Sequence, residues 1–213
     1  MPLSKESKAF FIDVQRMSNQ AGSLDFSKPW ELSDVALVVE EEIFHVHRCI
    51  LGMWSEVFST MFTSQFKEKT AQEVPLPGKK SAEIKEMLLV IYPTSAKPID
   101  ESNYAFLLDL AKEYMMAKIT EKCERYLIGR LGSPSIYYDR CACGNKARQY
   151  VISGDCLELL VIAQNYGLKM LEAECIKRAK RIKFAPDMKK DKNFDKISAD
   201  NYRKIVEGML LGI

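Results

Sequence analysis

Two groups of side chains in this 213-residue chain have the types and spacing to do chemistry. His45 and His47 lie two apart, so a strand would put both imidazoles on one face, where a metal site could begin. No cysteine or carboxylate stands at ligand spacing beside them, so no metal is expected there. Cys141-Ala-Cys143-Gly144 offers two thiolates in a loop that could join Cys156 on zinc. That spacing is not one of a known finger and a fourth ligand is missing, so an ordinary loop is expected. With both histidines in one hairpin, a Cys-His dyad has no obvious partner. Neither a phosphate-cradling Gly-rich loop nor a nucleophile elbow is present. The expectation is a protein without enzymatic activity, metal or cofactor.

Composition narrows the remaining classes. Apolar residues make up 47% and charged residues 28%, the balance of a soluble globular chain. A net charge of +2 is far from the basic excess of a nucleic-acid-binding domain, so no nucleic acid is expected as a partner. Residues 1–168 sum to −3 and the rest to +5, with the excess around Lys177 to Lys192, which reads as a solvated helix face. No apolar run reaches the eighteen residues of a membrane span, and the stretch MPLSKESKAF lacks the hydrophobic region of a signal peptide. A cytosolic or nuclear protein with six reduced cysteines, and no membrane partner, is the expectation.

The elements that would position any site begin at Asp34. Val35 to Val39 and Ile43 to His47 read as two strands, with Glu40, Glu41 and Glu42 as the turn between them. Beyond His47 the period becomes helical through Ile50, Leu51, Trp54, Val57, Phe58, Met61 and Phe62, in two short helices, the second capped by Ser55. Gln72 to Leu76 predicts a short strand closed by prolines. Ser81 is expected to cap a helix that Pro93 stops, and further helices start near Asp100 or Ser102 and near Thr120. Residues 1–29 predict an amphipathic helix with Phe10, Phe11, Val14 and Met17 on one face, then a connecting loop from Ser18 to Pro29. That face would be covered either by the chain's own core or by a second copy. Residues 132–153 read as a loop or insertion. Asp155 with Glu158 forms a capping box for a helix ended by Gly167, a second helix runs to Ile182, and Ser198 caps a last one carrying Tyr202, Ile205, Val206 and Leu210. The fold class expected is α+β, a small three-stranded sheet flanked by helices over 30–131, followed by an all-α region over 154–213.

Asp34, the hairpin, FHVHRCIL, SEVFSTMF and LLVIYP together closely resemble the BTB/POZ family from about Asp34 to Leu131. DCLELLVIAQNYGLKMLEAECIKRA and FDKISADNYRKIVEGML resemble the BACK helices that often follow such a domain. The resemblance implies a dimerising adaptor. Its self-contact would use Ile50, Leu51, Met53, Trp54 and Phe58, together with the N-terminal helix through Phe10, Phe11 and Val14; Trp54 is the natural anchor. Asp34 and Arg48 would line the family's charged pocket at the dimer interface, a buried pair whose role is geometry more than stability. His47 would be structural.

The resemblance also gives meaning to Phe66-Lys67-Glu68. Adaptors of cullin-3 ubiquitin ligases carry a hydrophobic-x-Glu motif at this position, the apolar side chain filling a cullin groove and the carboxylate making a polar contact. Phe66, Glu68 and the helices after Tyr92 would therefore hold a cullin-3-type scaffold, and the chain would present an unknown substrate protein for ubiquitination. The alternative implied by the same resemblance is a dimerisation module for transcriptional or cytoskeletal assembly with no ligase role.

Overall fold

Strand β1 (Val35–Val39) is apolar at every position and is covered on both faces, as a central strand must be. In this computed structural model, residues 24–64, 67–131, 136–140, 146–150, 156–179, 189 and 191–211 are described. Strand β2 (Glu42–Val46) runs antiparallel to β1, with Val35 opposite Val46 and Val39 opposite Glu42. Strand β3 (Glu73–Pro75) lies parallel on the other edge, giving the order β2-β1-β3. A parallel neighbour cannot be reached by a tight turn. The chain makes the crossover through two short helices, α1 (Arg48–Trp54) and α2 (Glu56–Thr63), and a 3₁₀ turn at Lys67–Lys69.

The hairpin turn is one residue shorter than expected: Glu40 and Glu41 form it, and Glu42 belongs to β2. Glu40 takes the left-handed conformation at φ +54°. Its carboxylate and that of Glu42 reach across to α3 (Ser81–Ile91), accepting from the Ser81 N–H and hydroxyl respectively, both at 2.8 Å. Ser81 is thus the first helical residue, tied down by the hairpin, whereas a capping role was expected. Lys80 holds the cap position without a side-chain bond. The Ser81 N–H also holds the Glu40 carboxyl below the usual carboxylate range.

Helix α3 buries Ile84, Met87, Leu88 and Ile91, and the chain turns away at Tyr92, before Pro93. Helix α4 (Tyr104–Glu113) starts later than Asp100 or Ser102 because Asn103 holds the turn, accepting from Asp100 N–H at 2.9 Å and donating to the Pro98 carbonyl at 3.1 Å. Helix α5 (Ala117–Arg130) begins three residues before Thr120. Ser55 caps α2 as its sequence predicts, its hydroxyl oxygen accepting from Phe58 N–H at 3.0 Å. The same hydroxyl donates to the Tyr114 carbonyl at 2.6 Å, which brings Phe58 and Tyr114 into a stack at 4.8 Å.

The segment before β1 is more than a connecting loop. Phe26 is buried, its carbonyl accepts from His45 N–H at 2.8 Å, and the Trp30 indole donates to the His45 carbonyl at 2.7 Å. These two bonds occupy the outer edge of β2 at His45, which would otherwise be open to another strand.

The chain divides into two compact units, Met1–Ile119 and Thr120–Ile213. In the second, residues 136–150 were expected to be irregular, but β4 (Ile136–Arg140) and β5 (Lys146–Tyr150) pair antiparallel, Ile136 opposite Tyr150. The region expected to be all-α, 154–213, holds only helical elements among its described residues. Helices α6 (Cys156–Tyr166) and α7 (Lys169–Ala179) form a hairpin that buries Leu157, Leu160, Ala163, Leu171, Cys175 and Ile176. Gly167 makes the turn at φ +66°, and Leu168 N–H returns to the Ala163 carbonyl at 2.8 Å. Glu124 of α5 caps α7, one carboxylate oxygen accepting from Met170 and Leu171 N–H at 2.7 and 3.0 Å. Ser198 accepts from Asn201 N–H at 3.3 Å at the start of α8 (Ala199–Leu211). Ile205 of that helix is buried, but Leu210 is 81% exposed, against the expected apolar stripe. Asp155 and Ile182 lie outside the described residues.

Candidate functional site

The residues singled out around α1 fall into two groups by burial. Leu51 and Phe58 have no exposed surface at all and are core of this unit, so they cannot form a contact surface as expected. Each stabilises the fold by about 1.5–3 kcal/mol through burial alone. Helix α2 packs beside Gly52, where a Cβ would meet the Ser59 Cα at an ordinary 3.5 Å. The opposite face of α1 looks outward: Cys49 is exposed, Ile50 half-buried, and Met53, four residues after Cys49, is 63% exposed.

Trp54 is half-buried at the end of α1, with the Lys118 ammonium 5.4 Å from its ring centroid. The same ammonium donates to the Met53 carbonyl at 3.4 Å, placing a cation at the C-terminus of α1, where the helix dipole favours it. Met115 is exposed at φ +50°, and its carbonyl accepts from Glu56 N–H at 3.5 Å. Met53, Trp54 and Met115 therefore surround the α1–α2 corner with an apolar surface flanked by Lys118, the composition of a protein contact. Sequence periodicity missed Met115, because its exposure follows from the left-handed turn between α4 and α5 and not from a helical stripe.

Asp34 and Arg48 do meet, but not as a buried pair. Asp34 keeps half of its side chain in solvent and accepts from Arg48 N–H at 2.8 Å, capping the first turn of α1. The guanidinium lies 3.6 Å from the other carboxylate oxygen, donates to the Asp34 carbonyl and to the Ala71 carbonyl at 2.5 Å, and stands 5.4 Å from the Phe62 ring. Its Nε is buried without a hydrogen bond. This arrangement clamps the start of α1 to β1 and to the approach of β3.

Tyr92, expected near a cullin contact, is 1% exposed. It works inside the unit. His47 N–H donates to the Tyr92 hydroxyl at 3.0 Å, and His47 Nδ1 lies 3.0 Å from the same oxygen. His47 Nε2 is 2.9 Å from the Glu31 carbonyl, which can only accept, so Nε2 carries the proton and Nδ1 takes the Tyr92 hydroxyl proton. Both ring nitrogens of His47 are thereby committed to structure, with Trp30 edge-on to the ring at 4.7 Å. Burial pushes the Tyr92 phenol above its ordinary range.

Glu68 sits half-exposed in the 3₁₀ turn directly after α2. Its partner in the motif, Phe66, and the N-terminal residues Phe10, Phe11 and Val14 lie outside the described residues, as do Cys141 and Cys143. Cys156, considered as a third zinc ligand, is fully buried at the start of α6 beside Cys175. Among the described residues no cluster of three His, Cys, Asp or Glu side chains has the geometry to hold a metal.

Comparison with known proteins places this geometry. The chain is 28% identical over 181 residues to BTB and MATH domain-containing protein 38 of Caenorhabditis elegans, covering 84% of this chain and 41% of that protein. It is 29% identical over 140 residues to Kelch-like protein 36 of Rattus norvegicus, covering 66% and 19%. The chain thus spans about half the length, or less, of the curated relatives it matches. The BTB domain of zebrafish PATZ1 aligns with 61% of this chain and 97% of its own at a TM-score of 0.41 and 20% identity. The family model of the BTB/POZ domain matches residues 24–131. A three-stranded sheet with a helical crossover, a solvent-facing α1 and a match over half the sequence lead to one assignment: the chain belongs to the BTB/POZ domain family, whose domain is a protein-interaction module.

Proposed function

We propose that this protein is a homodimeric BTB adaptor that binds a cullin-3-type scaffold and presents substrate proteins for ubiquitination, the transfer chemistry being done by other subunits. The observation that carries the reading is the placement of Glu68. In a BTB frame it stands half-exposed in the turn straight after α2, where the family resemblance puts the hydrophobic-x-Glu motif. In this reading the Phe66 side chain enters an apolar groove of the cullin, Glu68 supplies the polar contact that sets its register, and the helices following Tyr92 complete the contact. Met53, Ile50 and Trp54, with Phe10, Phe11 and Val14, face the second copy, and the Asp34–Arg48 clamp holds α1 at the angle that contact needs. The α6–α7 hairpin and α8 serve as BACK-like helices beyond the BTB domain, and the protein acts in the cytosol or nucleus.

The test is a pull-down with the purified N-terminal domain of cullin-3. Wild type is retained and a Phe66→Ala, Glu68→Ala double variant loses at least tenfold in affinity, about 1.4 kcal/mol. Equal retention of the two, or no retention of either, sinks the ligase reading and leaves a dimerisation module without a ligase role.

A further inference from the structure

The two strands of the second unit's hairpin, β4 and β5, sort their residues by face. Directly opposite positions in an antiparallel pair lie on the same side of the ribbon. The register sets Ile136 against Tyr150, Tyr138 against Arg148 and Arg140 against Lys146, so these six positions share one face. Three of them are basic, two are tyrosine and none is acidic. Tyr137, Asp139, Ala147 and Gln149 fall on the other face, and Asp139 is the only acidic residue of either strand.

Two features of this ribbon ask for a further strand of opposite charge. Arg140 and Lys146 occupy directly opposite positions, where like charges destabilise the pairing and an added anion would relieve it. Among the described residues no third strand pairs with β4 or β5, and a two-stranded ribbon alone is marginally stable in water. An acidic strand answers both, by hydrogen-bonding an outer edge and by bringing carboxylates to the basic positions. The edge of β5 suits it better, because Lys146, Arg148 and Tyr150 recur there at a spacing of two, whereas β4 gives Ile136, Tyr138 and Arg140. A second copy of β5 brings more cations to that face and no carboxylate, so it is the poorer occupant. A nucleic acid supplies anions but no peptide edge to extend the sheet.

We propose that β5 is the docking edge for an extended acidic segment of a partner protein. The segment joins the ribbon as a third strand beyond β5, with acidic residues at the alternate positions beside Lys146 and Arg148. Main-chain hydrogen bonds along Lys146–Tyr150 supply affinity, and the basic positions select sequence and fix register. Within the adaptor reading this segment belongs to the substrate protein. The edge itself is argued from the ribbon alone and is tested without a cullin.

The experiment titrates the full chain into a fluorescein-labelled peptide of about ten residues that alternates glutamate and threonine, read by fluorescence anisotropy. Saturable binding that weakens with added salt is expected, together with slowed amide exchange at Lys146–Tyr150 in the bound chain. A Lys146→Glu, Arg148→Glu double variant should lose about tenfold in affinity for this peptide and gain affinity for one alternating lysine and threonine. If that variant does not fold, the wild type decides alone, because a fully N-methylated version of the acidic peptide keeps the charge, lacks the strand's N–H groups and should not bind. Absence of saturable binding, or equal binding of the N-methylated peptide, overturns the proposal. So does tighter binding of a single-stranded oligouridylate of equal length, which would make the face a nucleic-acid surface. None of these outcomes bears on the cullin pull-down, so the two readings fail separately.

Discussion

A single phenol joins the two halves of the first unit's aromatic cluster. The Tyr92 hydroxyl serves both the His47 N–H and His47 Nδ1 at 3.0 Å, forty-five residues away in sequence. Tyr92→Phe leaves a buried N–H and a ring nitrogen unpaired, at a cost of about 1–3 kcal/mol each. The expected outcome is a lower urea midpoint with an unchanged far-UV spectrum; an unchanged midpoint contradicts the bond assignment. The same burial predicts alkaline sensitivity. Folded-state values lie above the ordinary 10.0 for Tyr92, in direction, and at about 12 for Tyr114. Because folding raises both, the stability these two tyrosines contribute is complete below pH 10.0 and is lost as pH climbs through the window from 10.0 to about 12 and beyond, where the unfolded tyrosines ionise first. Urea midpoints should begin to fall from pH 9.0, where the buried Cys123 thiol, also raised by burial to about 12, adds its share, and fall further within the tyrosine window; a flat profile through the window removes the burial argument.

At the level of elements, two glycines of the second unit make opposite predictions. Gly167 ends α6 at φ +66° with nothing within 4 Å of a Cβ, so Gly167→Ala meets no clash and costs only the left-handed backbone, about 1–2 kcal/mol. Gly129 lies inside α5, also with open space around it. There Gly129→Ala removes backbone entropy from the unfolded chain and stabilises by about 0.5–1 kcal/mol. Thermal unfolding of the two variants should move in opposite directions, and a shift of the same sign refutes the assignment of the turn. The role of Gly167 was legible because a glycine follows a helical period directly. The hairpin of β4 and β5 was not, since IYYDR and KARQY lack the alternation of a strand with one buried face.

The proposed self-association belongs to the scale of the whole molecule, and there burial separates residues that sequence grouped together. Leu51 and Met53 sit two apart on α1, one fully buried and one 63% exposed. Leu51→Ala should cost about 2–5 kcal/mol of fold stability. Met53→Glu should leave the unfolding midpoint nearly unchanged while shifting the mass in light scattering toward the monomer. A wild-type monomer at micromolar concentration ends the dimer proposal, and a dimeric Met53→Glu variant moves the contact off this face.

Residue order alone determined a great deal here. The strand-turn-strand of Val35 to Val46, the Ser55 cap, the apolar stripe of α3 and the Gly167 turn are local, set by periods of two and 3.6 and by backbone preferences that act within a few residues. The family resemblance followed from the same local blocks. Tertiary structure decided which member of each apolar stripe faces water. An amphipathic helix shows that some side is buried, but whether Leu51 or Met53 meets the core depends on where α2 and the sheet lie against it. It also decided the partners of polar groups: Tyr92 with His47, Glu40 and Glu42 with Ser81, Glu124 with α7, and Cys156 with Cys175. Those pairs are 19 to 47 residues apart, and a hydrogen bond over such a separation is chosen by packing, because nothing in the intervening residues encodes its geometry.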